Sequence, residues 1–265
     1  MGDGVWLHAI ARDLEPGAVE GLTGVTGAPV RTVATAGLVA VASPVDLDQF
    51  GAEPLRRNLE DLAWLERVAR AHHAVVAELA RTHTVVPAPL ATVYRDDAGV
   101  REMLTQRRGD LDAVLERVDG RAEWGVKMYA EPAAAPQPQQ PAQSSQDAPA
   151  GSGAASPGLA YLKRRRAQLS ADEEQWRHAA DGAEAAHATL AACAAAARRH
   201  PPQDRRLSGR PEPMLLNGAY LVDRRSADQF ADLVASQAAS HAELRVELTG
   251  PWPPYSFAAA DEASP

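Results

Sequence analysis

Hydrophobic and polar positions along the chain change period several times, and each change marks an element. Val5, Leu7 and Ala9 alternate with Trp6, His8 and Ile10, so neither side of this segment is polar, and the pattern predicts a strand covered on both faces. VRTVATAGLVAVA, residues 30–42, predicts two short strands reversing at Ala36-Gly37. Pro54 suits a first helical position, and Leu55, Leu59, Leu62, Val68, Val75 and Leu79 recur at the spacing of one continuous helix of about seven turns. After VVPAPLATVY, Asp96 or Asp97 can cap a second helix with an apolar stripe of Val100, Met103, Leu104, Leu111, Val114, Leu115 and Val118. Trp124, Val126 and Met128 then point one way along a closing strand, with Gly125 and Lys127 pointing the other. This order predicts an α+β sandwich of ferredoxin-like type, helices on one face of a sheet, over residues 1–131.

The periodicity stops at Pro132. From there to Gly158 the chain uses only Pro, Ala, Gln, Ser, Asp and Gly, too little apolar surface to offset its ordering entropy, so residues 132–158 read as a disordered linker. Residues 159–265 form the second expected unit, an α+β domain with a long helix. Leu162, Leu169, Trp176, Ala183, Leu190 and Ala197 fall every seven residues along a helix predicted over 158–200, but Arg166 and Glu173 occupy companion positions. The seam is one-sided, which suits an amphipathic helix lying against a body. PMLLNGAYLV reads as a strand, Ser226 with Gln229 as a capping box for a helix carrying Phe230, Leu233 and Val234, and Leu244, Val246 and Leu248 as the buried face of a last strand. That strand runs straight into LTGPWPPYSF, residues 248–257. Three aromatic residues between prolines are unusual in a chain that is 5% aromatic. Prolines hold this segment extended, and Trp252, Tyr255 and Phe257 bring large apolar area, so two readings stand: a structural clamp on the body, or a contact for a partner.

Composition narrows the function more than it names it. The net charge is −8 and both halves share the acidic excess, which argues against duplex DNA, RNA or an anionic membrane as the main partner. No apolar run reaches the roughly 18 residues of a membrane-spanning helix, no signal segment is visible, and one cysteine, Cys193, excludes an internal disulfide framework and suits a reducing cytoplasm. Cys193 lies in an alanine-rich helix and reads as a packed or inert thiol. His72, His73 and His83 lack the convergent companions that a metal site needs and read as surface or helix-end histidines. GLTGVTGAP has irregular glycines with no helix behind them, and neither a nucleophile elbow nor a dinucleotide fingerprint occurs. No catalytic, cofactor-binding or metal-binding residue is therefore expected, and no cofactor. One charged feature stands out: Lys163, Arg164, Arg165 and Arg166 form a run of cations near a helix start, where they oppose the favoured sign of the helix end. They are read as candidates for an ion pair with the other domain, for solvation, or for a partner contact.

The order VWLHAIA, TAGLVAVAS, LEDLAWLERVARAHHAVVAELA, TVVPAPLATVY and EWGVKMYA, followed by NGAYLVDRR and LRVELTGPWPPYSF, resembles the gas vesicle protein F/L (GvpL/GvpF) family across nearly the whole chain outside the linker. The chain departs from the family pattern at Pro89 and Ala91, where members often carry an Arg and a Gly before a TVF-type segment. The resemblance implies a modified ferredoxin-like N-terminal domain, an α+β C-terminal domain and a non-enzymatic role. It implies an accessory protein of gas vesicle formation, in the cytoplasm or at the gas vesicle, that binds the hydrophobic shell protein and assists its entry into the wall. The expected partners are the gas vesicle shell protein and other gas vesicle accessory proteins, with no nucleic acid and no membrane insertion. The alternative is a general protein-interaction scaffold without shell-protein binding.

Overall fold

The computed structural model describes residues 2–131, 157–202 and 212–259. Most of the expected linker, residues 132–156, lies outside the described residues. The fold is α+β, built on two antiparallel sheets. The first has the order β2-β3-β1-β4, with β1 Asp3–Ala11, β2 Arg31–Thr35, β3 Leu38–Asp46 and β4 Val85–Pro87; β5, Val93–Tyr94, also pairs with β1. The second has the order β7-β8-β6-β9, with β6 Arg121–Ala130, β7 Ala196–Arg199, β8 Met214–Asp223 and β9 Leu244–Trp252.

β1 is covered on both faces, as its apolar run demands, but not with the simple alternation read from the sequence. His8 is an extra residue between the pairs Leu7↔Ala42 and Ala9↔Val41, a bulge that exchanges the faces beyond it. Val5, Leu7 and Ile10 consequently share one core with α4 (Asp97–Gln106) and α5 (Arg108–Val118). Ala9 and Ala11 face α3 (Leu62–Thr82), as does Trp6. Helices thus cover both faces of the first sheet, whereas the sequence pattern placed them on one. The β2–β3 reversal falls where expected: Thr35 pairs with Leu38, and Ala36 and Gly37 both take positive φ, 55° and 78°, as a two-residue hairpin loop of matching twist requires.

Four helical expectations change. The long helix from Pro54 is broken into α2 (Ala52–Asn58) and α3, with a short α1 (Leu47–Phe50) ahead of it, because the Asp61 carboxylate accepts from the amides of Ala63 and Trp64 and starts a new helix there. Leu62 is exposed as a result. Asp96 caps α4 through the Gly99 amide at 2.9 Å, and the stripe that follows turns at Arg107 into α5. α6 (Pro157–Cys193) stops before its expected end, since Ala196–Arg199 pairs with β8 instead of continuing the helix. The sheet hydrogen bonds of a free strand edge outweigh alanine's helix propensity here. Of the two readings of Cys193, packed or inert, the first is excluded, since it is exposed at that helix end. The capping box at α7 (Ala227–Ser240) is absent: Ser226 already lies in a 3-10 turn at φ −102° and ψ 11°, and its hydroxyl makes no cap bond.

The largest topological correction concerns residues 121–130. Instead of closing the first sheet, β6 is a central strand of the second, paired with β8 from Arg121↔Asp223 onward and with β9 from Glu123↔Trp252 to Ala130↔Leu244. The division into sheets therefore falls before β6 and not at the 132–158 segment. One face of this sheet packs Val126, Met128, Leu216, Tyr220 and Val222 against Ala183 and Leu190 of α6 and Phe230 and Val234 of α7. From its other face Ala219 and Leu221 join the core of the first sheet.

The departure at Pro89 and Ala91 is a tight turn. Thr92 Oγ1 donates to the Pro89 carbonyl at 2.7 Å, the Leu7 amide donates to the Thr92 carbonyl at 3.0 Å, and Ala91 sits at φ 67°. A Cβ there is strained by about 1–2 kcal/mol, partly balanced by the greater unfolded-state freedom of glycine. Ala91→Gly is expected to stabilise the protein by roughly 0.5–1 kcal/mol and Ala91→Val to destabilise it, as read by urea unfolding.

Candidate functional site

The C-terminal tail and α3 meet over a notch between the two sheets. β9 stays paired as far as Glu123↔Trp252 because Gly250 takes φ 122°, and a Cβ there would lie 2.9 Å from the Glu123 carbonyl oxygen. Pro253 and Pro254 are buried beyond it, and a 3-10 turn, Tyr255–Phe257, follows. Phe257 is 1% exposed and lies in the core of the first sheet, beside Ala219 and Leu221 of β8. Its carbonyl and that of Ala259 accept from Arg117 Nη2 of α5 at 2.8 and 2.6 Å. The Ser256 amide and hydroxyl donate to the two carboxylate oxygens of Glu123, each at 2.7 Å, and the hydroxyl lies 3.0 Å from His200 Nε2. Burial raises the Glu123 carboxyl above its usual range, and the Ser256 bonds pull it back.

Tyr255 and Trp252 converge on His73 of α3. The Tyr255 hydroxyl lies 3.2 Å from His73 Nδ1, and the Trp252 ring meets the His73 ring near its edge at 5.6 Å between centroids. Burial, with the Glu123 charge, pushes the Tyr255 hydroxyl up to about 12. Trp252 nevertheless remains 44% exposed. Beneath His73 lies a buried polar cluster on the α3 side of the first sheet: Trp6 Nε1 donates to His72 Nδ1 at 3.0 Å, His8 stacks on His72 at 5.3 Å, and His8 Nε2 lies 3.0 Å from Ser43 Oγ. Because Nδ1 of His72 accepts, its ring is neutral with the proton on Nε2. Burial, reinforced by His72, lowers His8 to about 3. Burial also lowers His72 to about 4, against the opposing pull of the Ala88 backbone and with help from His73.

Between α3 and the tail runs a groove of about 290 Å³, with Ala74, Ala77, Ala80 and Ala122 facing Pro251, Trp252 and Pro253. It adjoins a second hollow of about 230 Å³ at the α3 end, lined in part by Val85, Val118 and Pro254, and Arg81 and Arg224 border both. Arg224 is fixed by donating to the Ala80 carbonyl at 2.6 Å. A small aliphatic floor under a half-exposed indole can take an apolar side chain from outside. His73 and Glu78 also line the groove, Glu78 accepting from Arg81 at 3.1 Å and His73 engaged by Tyr255, and among the described residues no group of three or more His, Cys, Asp or Glu could hold a metal ion.

Of the residues singled out from the sequence, Trp252 and Tyr255 come together on His73, while Phe257 faces the interior. Lys163, Arg165 and Arg166 stand on the exposed first half of α6, separate from the tail, and the side chain of Arg164 lies outside the described residues. His72, read as a surface or helix-end residue, is buried, and His73 and His83 are half-buried. Sequence reasoning missed His73, Glu123, Ser256 and Arg117 as holders of the tail. It could have caught His72, which falls on the Val68, Val75, Leu79 stripe four residues after Val68.

The sequence model described as "Gas vesicle synthesis protein GvpL/GvpF" matches residues 4–259. The chain is similar to gas vesicle protein L of Streptomyces sp. (strain CB03234), at 43% identity over 97% of this chain and 93% of that one. Its similarity to gas vesicle protein F of the same strain is 28%, over 95% of this chain and 98% of the relative. In fold it resembles the crystal structure of GvpF from Anabaena sp. PCC7120, with a TM-score of 0.67 at 17% identity over 98% of both chains. No helix among the described residues is long and apolar enough to cross a membrane.

Two outcomes test the geometry of this site. Phe257→Ala is expected to cost about 3–5 kcal/mol in urea unfolding, whereas Trp252→Ala costs less than about 1 kcal/mol, because only the first empties a core position. The second outcome concerns pH. His8 and His72 stay neutral in the folded protein down to about 3 and about 4, but protonate near 6.5 once unfolded. Their contribution is therefore fully present above pH 6.5 and is lost as pH falls toward 4, by up to about 1.4 kcal/mol per pH unit for each ring. Unfolding midpoints should drop between pH 7 and pH 5, while the two ring signals in histidine NMR spectra stay unshifted over that range.

Proposed function

The chain belongs to the GvpL/GvpF family of gas vesicle synthesis proteins, and from that membership we propose that it holds the vesicle's hydrophobic shell protein before and during its entry into the growing wall. The family acts in gas vesicle formation. A protein that lines a gas space must present an apolar face, and such a face aggregates in water while unassembled. A partner that shields it needs an apolar surface of its own on an otherwise charged, soluble body. The observation that carries this reading is the alanine-floored groove beside Trp252: the tail commits Phe257 to the core and Tyr255 to His73, yet leaves the indole half-exposed over Ala74 and Ala77.

In this reading the tail serves twice, Phe257 as clamp and Trp252 as contact. The groove grips an apolar side chain of the shell protein, and the chain's acidic surface keeps the complex dispersed in the cytoplasm, where other gas vesicle accessory proteins join it. The role needs no cofactor and no bond-making chemistry. The groove is small, so it anchors a shell monomer at one point, with the remaining contact supplied around it.

Co-expression with the shell protein tests this. The intact chain is expected to bring the shell protein into the soluble fraction as a complex that survives size exclusion. Trp252→Ala and Ala77→Arg are expected to reduce its yield at least tenfold while leaving their own melting temperatures nearly unchanged. Full recovery of complex with both variants would remove the groove from the proposal, and failure of the intact chain to keep any shell protein soluble would remove the proposal itself.

A further inference from the structure

α6 is longer than the sheet it packs on. From Ala179 onward its apolar row is seated in the core of the second sheet, with Ala183 and Leu190 buried. The same row, at the same seven-residue spacing, continues backward through Trp176, Leu169 and Leu162, which are 52%, 49% and 59% exposed. A seven-residue row drifts only about 20° per repeat on a straight helix, so the bare residues extend the face that is buried further on. Residues 157–174 thus form an arm about 27 Å long, up to Gln175, which donates to the Glu131 carbonyl at 3.1 Å; the row Leu162, Leu169 and Trp176 has no cover among the described residues.

The charges on the arm are arranged about the middle of that row. Lys163 to Arg166 precede Leu169, and Asp172, Glu173 and Glu174 follow it at a matching distance. Among the described residues, Lys163, Arg165, Arg166, Glu173 and Glu174 have no ion-pair partner. We propose that two copies of the chain pair antiparallel through this arm, about a two-fold axis at Leu169.

That arrangement satisfies every feature at once. Leu169 faces Leu169 of the second copy, and Leu162 faces its Trp176. Beside the row, Arg165 lies opposite Glu173 of the second copy, twice over, as an isologous interface requires. Glu173, which spoils a parallel heptad seam, becomes an ion-pairing position. A parallel pair would instead set four cations against four cations. Antiparallel packing also places each helix's end dipole beside the opposite end of its neighbour. A second copy explains the mirrored order of charge about the apolar midpoint, which a partner of unrelated sequence does not. The interface is narrow, so the dimer is a micromolar, salt-sensitive one.

Sedimentation velocity of the full chain, from low micromolar to several hundred micromolar, should show a monomer–dimer equilibrium that shifts toward monomer with added salt. Leu169→Glu is expected to weaken it roughly 100-fold, since two half-buried leucines are lost at the axis. Arg165→Glu should weaken the dimer at least tenfold, and adding Glu173→Lys, which faces it across the axis, should restore it. Far-UV circular dichroism checks that these surface changes leave the helix intact. Orientation is read by oxidation in a Cys193→Ser background: Leu169→Cys links to itself, and Leu162→Cys links to Trp176→Cys in a mixture but not to itself. A chain that stays monomeric at every concentration overturns the proposal. So does self-linking of Leu162→Cys, or a monomer whose arm instead captures the shell protein.

Discussion

The pairing of β6 with β9 is the interaction on which the rest of the molecule depends. β6 leaves α5, which belongs to the core of the first sheet, after only the turn at Asp119 and Gly120, and becomes a central strand of the second. It thereby ties the two layers covalently at the point where they pack. β9 must then run along β6 to Glu123, and Gly250 is what lets its backbone follow without collision. Once Trp252 is placed opposite Glu123, the carboxylate of that residue is in position to take both the amide and the hydroxyl of Ser256. The 3-10 turn then points Phe257 into the layer between the sheets and leaves Tyr255 at α3. The notch beside Trp252 follows from this strand pairing and from the alanines that let the tail approach α3.

The energetic weight of the tail is unequal. Phe257 contributes as a core residue does, through apolar area taken from water, and Arg117 anchors its carbonyl. The Tyr255–His73 contact sits at an exposed edge and adds little by comparison. Behind it, the Trp6–His72 hydrogen bond and the His8–Ser43 contact fill the space that the β1 bulge opens under α3. Two neutral histidines are an expensive way to fill a core: His8 Nδ1 and His72 Nε2 are buried without a hydrogen-bond partner, and the cost grows as pH falls, when the unfolded chain gains protons that the folded one refuses.

What was legible in the sequence follows from the range of the interactions concerned. The α+β class, the hairpin at Ala36-Gly37, the Asp96 cap and the strand carrying Met214–Asp223 are set by patterns within a few residues, and all are present. The break at Asp61 was equally local, but the Leu55, Leu59, Leu62 spacing concealed it. The placement of β6 was not local. Its alternation of Trp124, Val126 and Met128 says that it is a strand with one buried face, and says nothing of which sheet receives it. The alanine-rich end of α6 failed for a similar reason, since only the vacant edge of β8 makes Ala196–Arg199 a strand. At the site, Trp252, Tyr255 and Phe257 were found because aromatics between prolines are conspicuous. Their partners His73, Glu123 and Arg117 lie 133 to 182 residues away in the cases of Ser256–Glu123 and Tyr255–His73, with Arg117–Phe257 between, and no local signal marks them.

The arm of α6 and the notch at the tail make different physical demands, and the chain keeps them apart. The notch needs a rigid floor, which the packed alanines of α3 supply. The arm needs exposure, which it has because its first half extends past the second sheet. A single notch holding one side chain binds weakly on any reasonable accounting of interface area. If two chains join through the arm, as proposed, each assembly carries two notches at a fixed separation. Under the proposed function, a wall built of repeating shell subunits would meet both at once, and the second contact would form at a high effective concentration without any new surface being required. Weak single sites joined by a weak dimer also release easily, as the proposed holding role requires.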